Sequence, residues 1–202
     1  MINTSEIWER EVFEIEEKKE RKEHIDIVFY GSSSIRLWST LKDDFISYSV
    51  LNHGFGGSKI NDAIYYYDRL VKPFNPRAVV LFSGVNDLDY IAKSLHSGRR
   101  VFNHFKKFYK KHMQTLGVPL VYILMTPCIA KWAYIKEMKE ANNLIKNFAE
   151  KHQNLYILDV TDKFLEDGYP IEELFVGDGL HLSKDGYEIW KNALLPLIND
   201  IL

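Results

Sequence analysis

Short, nearly unbroken apolar runs alternate along this chain with longer stretches in which apolar residues recur every three or four positions. The runs are Ile25 to Tyr30, Tyr48 to Leu51, Ala78 to Ser83, Leu120 to Met125 and Leu155 to Leu158. Runs of this length bounded by glycine, proline and small polar residues read as buried strands. The stretches between them carry helical spacing. Trp8, Val12 and Ile15 share one face of a helix over residues 5–23, and Met138, Ala141, Ile145 and Phe148 share one over 132–152. Further helices are predicted over 61–71, stopped by Pro73 and Pro76, over 100–116, ending at Gly117, and from Ser183 onward, with a kink at Pro196. Strands that are apolar throughout, alternating with helices, predict an α/β fold with a five-stranded parallel sheet covered on both faces. No repeat, low-complexity tract or linker interrupts the pattern. Residues 1–202 therefore read as a single domain, with the N-terminal helix of residues 1–24 packed on or beside it.

Composition narrows the field without changing this picture. The chain is 46% apolar and 27% charged, as in an ordinary soluble globule. A net charge of -2 argues against nucleic acid as a partner, since phosphate neutralisation needs clustered excess Lys and Arg. The one cysteine, Cys128, cannot bridge internally and fits a reducing compartment. No apolar window approaches the ~20 residues of a membrane span. The N-terminus is charged rather than apolar, unlike a signal peptide, so a cytoplasmic location is expected. The EEKKERK stretch of residues 16–22 reads as a solvated helix face rather than a partner surface. GFGGSKI matches neither phosphate-loop pattern, and no metal-ligand spacing is present, so neither cofactor nor metal is expected. Oligomeric state is not legible.

In a parallel α/β sheet, ligands bind outside the carboxyl ends of the strands. After the first run come Gly31 and three serines, Ser32, Ser33 and Ser34. After the second come Asn52, Gly54, Gly56 and Gly57, and after the third Gly84, Asn86 and Asp87. Asp178, Gly179 and His181 precede the last helix. This inventory suits acyl transfer. A serine hydroxyl needs an adjacent base, and His181 can take and return a proton near neutrality. Asp178, on the same short loop, can fix the imidazole tautomer. The backbone N–H groups of Ser33 and Gly57 and the Asn86 amide can stabilise the oxyanion. His24, His104, His112 and His152 lack an acid three residues upstream, and His53 in the glycine loop is a minor rival. Asp87 reads as structural, closing an Asx turn. Trp38, Trp132 and Tyr134 are candidates for a substrate-binding pocket, with core packing as the commoner fate of such residues. Cys128 shows no legible histidine partner and is not expected to act as a second nucleophile.

These residues resemble the four blocks of the SGNH hydrolases, the GDSL-type esterase, lipase and acylhydrolase superfamily. GSSSIRLW is similar to the first block and NHGFGGS to the second, while GVND and DGLH match the third and the DxxH of the last. The resemblance spans the chain from the first strand to the last loop. It implies a three-layer, flavodoxin-like α/β/α fold and a serine ester hydrolase without cofactor, acting on a small-molecule acyl or acetyl ester through an acyl-enzyme. Anchored on Gly31, with Trp38 as the bulky residue downstream, the register makes Ser33 the nucleophile; a slipped register would choose Ser34. The implied triad is Ser33, His181 and Asp178, with Ser33, Gly57 and Asn86 as oxyanion donors. The chain departs from the family at Ser32, where the first block usually carries Asp. Thioesterase or lysophospholipase activity, or a weakly catalytic carbohydrate- or protein-binding role, are the alternatives within the same resemblance.

Overall fold

The computed structural model describes residues 4–18, 24–88 and 97–202. Five strands form one sheet: β1 (Ile27–Gly31), β2 (Val50–Gly54), β3 (Ala78–Phe82), β4 (Leu120–Ile123) and β5 (Leu155–Leu158). All neighbours pair in parallel, in the order β2-β1-β3-β4-β5. This is the flavodoxin-like order, in which the winding reverses between β1 and β3 and opens a crevice at their carboxyl ends. Register brings three loops to one level there, because Gly31 pairs with Gly54 on one side and Phe82 on the other. The serine block, the glycine block and the GVND block thus leave the sheet side by side.

Successive side chains of a strand point to opposite faces, and β1 shows how both are covered. Tyr30 meets Tyr67 of α4 (Ile60–Leu70) and Phe108 of α5 (Ser97–Thr115). Phe105 packs on Tyr122 of β4, and α6 (Ile135–Ala149) packs against α5. On the other face, Phe29 meets Trp38 and Phe45, and Trp38 in turn meets Tyr187 and Trp190 of α7 (Lys184–Ile201). Two short helices, α2 (Ser33–Arg36) and α3 (Leu41–Asp44), fill the connection from β1 to β2. The N-terminal helix α1 (Glu9–Glu17), entered through a 3₁₀ turn over Thr4–Trp8, packs on α4 with Val12 buried.

Local departures from the predicted elements have identifiable causes. The second strand lies two residues further on than the Tyr48 to Leu51 run and takes in Asn52 and His53. Their polar atoms find backbone partners: Asn52 donates to the Ile35 carbonyl at 2.7 Å, and the His53 ring meets the Leu70 carbonyl at 2.6 Å. The helix predicted from Trp132 to His152 opens as a 3₁₀ segment over Ile129–Tyr134, and its α-helical part is Ile135–Ala149. α1 closes at Glu17, and residues 19–23 of the predicted first helix lie outside the described residues. A small hairpin, β6 (Leu165–Glu166) with β7 (Tyr169–Pro170), was not anticipated. Its turn is Asp167-Gly168, both at positive φ (49° and 80°), the backbone that favours Asp-Gly between paired strands. Among the described residues, no helix is long and apolar enough to cross a membrane.

Candidate active site

The turn after β1 is built by close backbone approach. Gly31 sits at φ 127°, and a Cβ there would lie 2.0 Å from the Phe82 carbonyl oxygen, so only glycine fits. This lets the Ser32 N–H donate to that same carbonyl at 2.9 Å. The Ser32 carbonyl accepts from the N–H groups of Ile35 (3.0 Å) and Arg36 (3.2 Å), and the Tyr187 hydroxyl donates to the Ser34 carbonyl at 2.8 Å. The Ser32 side chain makes no capping bond. Main-chain bonds therefore close this turn where the family usually has Asp, and Ser33 remains the first residue of α2.

Ser33 Oγ lies 2.8 Å from His181 Nε2, although 148 residues separate them. His181 Nδ1 lies 2.6 Å from Asp178 Oδ2. The other carboxylate oxygen, Oδ1, accepts from the N–H groups of Leu180 (2.8 Å) and His181 (2.9 Å). Burial pushes the Asp178 carboxyl up, but the imidazole bond and the two backbone bonds outweigh it, and the net shift is below the ordinary value. An ionised carboxylate only accepts, so Nδ1 carries the imidazole proton and Nε2 is left to accept from the Ser33 hydroxyl. The Asp178 side chain is 47% exposed, unlike the buried acid of the serine-protease triad. The loop is held from two sides. Val176 N–H donates to the His181 carbonyl at 2.8 Å, and Ala130 N–H donates to the Gly179 carbonyl at 3.0 Å.

The oxyanion candidates converge on the same edge. The backbone N–H groups of Ser33 and Gly57 make no hydrogen bond to any described residue. Gly57 is exposed, at φ 69°. Asn86 donates one amide hydrogen to the Ser58 carbonyl at 3.0 Å, which ties it to the glycine loop and leaves a second hydrogen for a ligand. Asn86 and Ser33 line one small cavity of about 10 Å³, walled by Phe82, Val85, Thr126 and Leu180. Asp87 behaves as the sequence predicts, as a structural group. Its buried carboxylate accepts from the Ile60 N–H that opens α4 (3.0 Å) and meets His104 Nδ1 (2.9 Å). A larger groove of about 1120 Å³ lies between α1 and the edge strand β2, but it contains none of Ser33, Asp178 and His181.

Other expectations are corrected or refined. Trp38 does not line the small cavity beside Ser33 and only borders the larger groove: at 1% exposure it packs among Phe29, Phe45, Tyr187 and Trp190, and its indole N–H donates to Asp44 at 2.7 Å. A buried indole with its N–H satisfied serves chiefly the core. His53 is buried against Phe74 and bonded to the Leu70 carbonyl. Trp132 and Tyr134 are half-buried on the 3₁₀ segment that holds the Asp178 loop, and neither lines the small cavity. Trp132 instead packs edge-on against Tyr169 of the hairpin, at 5.0 Å between centroids. Burial pushes the Cys128 thiol up to about 11, against the opposing pull of Lys131, so it stays protonated although it borders the cavity. Among the described residues, no group of three or more His, Cys, Asp or Glu could hold a metal ion. The sequence reading missed Trp8 and Glu11, which reach the glycine loop from α1 and its entry turn. Their separation from that loop left no local signal.

A serine, an imidazole and a carboxylate in hydrogen-bonded series, at the switch point of a flavodoxin-like sheet, define a hydrolase-type site. The chain belongs to the GDSL-like lipase/acylhydrolase family, whose model matches residues 30–189. No curated protein matches it in sequence. Solved structures share the fold at low identity. A GDSL-like lipase from Bacteroides thetaiotaomicron is 16% identical, with 98% of this chain and 100% of that chain covered and a TM-score of 0.78. The lipase/acylhydrolase from Enterococcus faecalis is 19% identical, with 87% and 96% covered and a TM-score of 0.70. Axe2, an acetylxylan esterase from Geobacillus stearothermophilus solved as a catalytic mutant, is 15% identical, with 86% and 94% covered and a TM-score of 0.67.

Proposed function

We propose that the protein is a carboxylic ester hydrolase that works through a Ser33–His181–Asp178 triad. The reading rests on one observation: the unbroken series from Ser33 Oγ to His181 (2.8 Å) to Asp178 (2.6 Å). Ser33 Oγ attacks the ester carbonyl carbon while His181 Nε2 takes the hydroxyl proton. The carbonyl π electrons move onto oxygen, and the N–H groups of Ser33 and Gly57 with the free Asn86 hydrogen stabilise the resulting anion. The intermediate collapses, the C–O bond to the alcohol breaks, and His181 returns its proton to the leaving oxygen. Water then attacks the acyl-enzyme with His181 again as base, releasing the carboxylic acid and restoring Ser33. Asp178 keeps Nδ1 protonated and stabilises the imidazolium.

The cavity beside Ser33 and Asn86, with room for about one water, favours a short acyl group such as acetyl over a long chain. A long-chain thioester or lysophospholipid would need more room beside the nucleophile. On p-nitrophenyl acetate, Ser33→Ala lowers kcat on the order of 10⁴-fold or more. A profile over p-nitrophenyl esters falls steeply beyond two to four carbons; a rise toward long chains would favour the lysophospholipase alternative.

A further inference from the structure

The peptide that carries the Gly57 N–H is gripped by the N-terminal segment. The indole N–H of Trp8 donates to the Gly56 carbonyl oxygen, and this carbonyl belongs to the same peptide unit as the Gly57 N–H. One residue earlier, the Gly56 N–H donates to both carboxylate oxygens of Glu11, each at 3.0 Å. Glu11 also pairs with Arg36 Nη1 at 3.2 Å, and Arg36 closes α2, the helix that begins with Ser33. A single carboxylate therefore bridges the nucleophile's helix and the glycine loop. On the far side of Gly57, Ser58 is held through its carbonyl by Asn86 and through its hydroxyl by the Phe55 carbonyl at 3.0 Å.

The gripping segment is itself anchored. Arg69 of α4 forks onto Glu16 (3.0 and 2.7 Å) and onto Glu9 (3.0 and 2.8 Å), so α1 is fastened to the helix that the glycine loop leads into. Two-pronged guanidinium–carboxylate pairs fix orientation as well as distance. The Trp8 ring rests edge-on against buried Phe55 at 6.2 Å between centroids, which sets the angle of the indole N–H. Gly57 needs this support: it is exposed at φ 69°, and no atom beyond its chain neighbours lies within 4 Å of where its Cβ would be. A glycine without packing or a hydrogen bond of its own is free to rotate its peptide away.

We infer that Trp8 and Glu11 are positioning residues for the oxyanion hole, with Trp8 orienting the Gly56–Gly57 peptide and Glu11 locking the residue before it to the nucleophile's helix. A hydrogen bond to the carbonyl of a peptide also polarises the N–H at its other end, so Trp8 strengthens the Gly57 donor as well as aiming it. The inference rests on the ester-hydrolase reading for its kinetic consequence, though not for the contacts themselves.

The test uses the full chain and p-nitrophenyl acetate, with rates normalised to sites titrated by a fluorophosphonate. Trp8→Phe, which keeps the ring on Phe55 and deletes the donor, lowers kcat about five- to tenfold and leaves KM within about twofold, the size of one net hydrogen bond. Glu11→Ala lowers kcat by a similar factor, and Glu11→Gln, which keeps an acceptor for the Gly56 N–H, recovers most of that loss. Phe13→Ala, on the solvent side of α1 at 57% exposure, keeps the wild-type rate. In amide NMR, the Gly57 resonance shifts in Trp8→Phe, and Gly56 exchange accelerates in Glu11→Ala. Wild-type kcat per titrated site in both Trp8→Phe and Glu11→Ala overturns the inference, as do losses equal in Phe13→Ala or explained by a smaller folded fraction. If the wild-type protein neither hydrolyses esters nor labels, the ester-hydrolase reading fails. The NMR shifts then decide the clamp alone, and unchanged Gly56 and Gly57 amides overturn it.

Discussion

Asp178 reaches His181 across three residues of one loop, whereas Gly56, whose carbonyl shares a peptide with the Gly57 N–H, takes its partners from Trp8 and Glu11, 48 and 45 residues away. On the proposed mechanism, the proton-handling side of the site is thus assembled locally and meets Ser33 through one long-range contact. The proposed anion-stabilising side is assembled from the chain's beginning, the β2 loop and the β3 loop together. Local assembly tolerates exposure: Asp178 keeps its imidazole and two backbone bonds although half of its side chain faces solvent. Among the described residues, the glycine loop bonds within itself only through Ser58 and Phe55, and Gly56 takes its partners from the N-terminal segment.

Substitutions on each side should show this difference. Asp178→Asn is expected to lower kcat by about 10³-fold, somewhat less than the ~10⁴ of a fully buried triad acid, because water can partly replace an exposed carboxylate. A loss below tenfold would mean that the backbone of the loop alone orients His181. Asn86→Ala is expected to cost ~10²–10³ in kcat with little change in KM, as for removal of one oxyanion donor. Here the loss includes looser holding of Ser58, so the Gly57 amide resonance should move too. An unmoved resonance would separate donor from brace.

Smaller effects test the surroundings. Burial pushes the imidazoles of His53 and His112 below their ordinary value of 6.5. The unfolded chain therefore takes up these protons first as pH falls, and the stability contributed by the neutral rings is complete above pH 6.5 and lost as pH drops through the folded values. Tm should stay level from neutral to mildly basic pH and decline on acidification from there. A Tm unchanged down to pH 5 would contradict the burial of both rings. Smallest of all, iodoacetamide at neutral pH should leave activity intact, since the Cys128 thiol is buried and raised to about 11. Rapid inactivation would show that the cavity wall opens.

The same contrast explains what could be read in the chain before its fold was known. Asp178 and His181 announce themselves by spacing, as do the buried strands by their apolar runs and Gly84–Asp87 by its place after one. Gly57 was legible as a loop glycine, but nothing near it signals Trp8 or Glu11, because a contact over 45 residues or more leaves no periodicity. Trp38 was ambiguous for a different reason. A tryptophan after a short helix has the same sequence signature whether its ring turns to the core or to a ligand, and here the Asp44 acceptor and four aromatic neighbours turned it inward. The Asp167-Gly168 turn did carry a hairpin signal, but strands of two residues are too short to show alternation.

On the proposed mechanism, Ser33 is the nucleophile, chosen from three adjacent serines by the reach of His181. Incubating the folded protein with a fluorophosphonate, digesting it and sequencing the modified peptide by mass spectrometry tests this most directly. A single phosphonylated residue, Ser33, is expected, with no labelling in His181→Ala. Modification at Ser34, or none in folded protein, would contradict it.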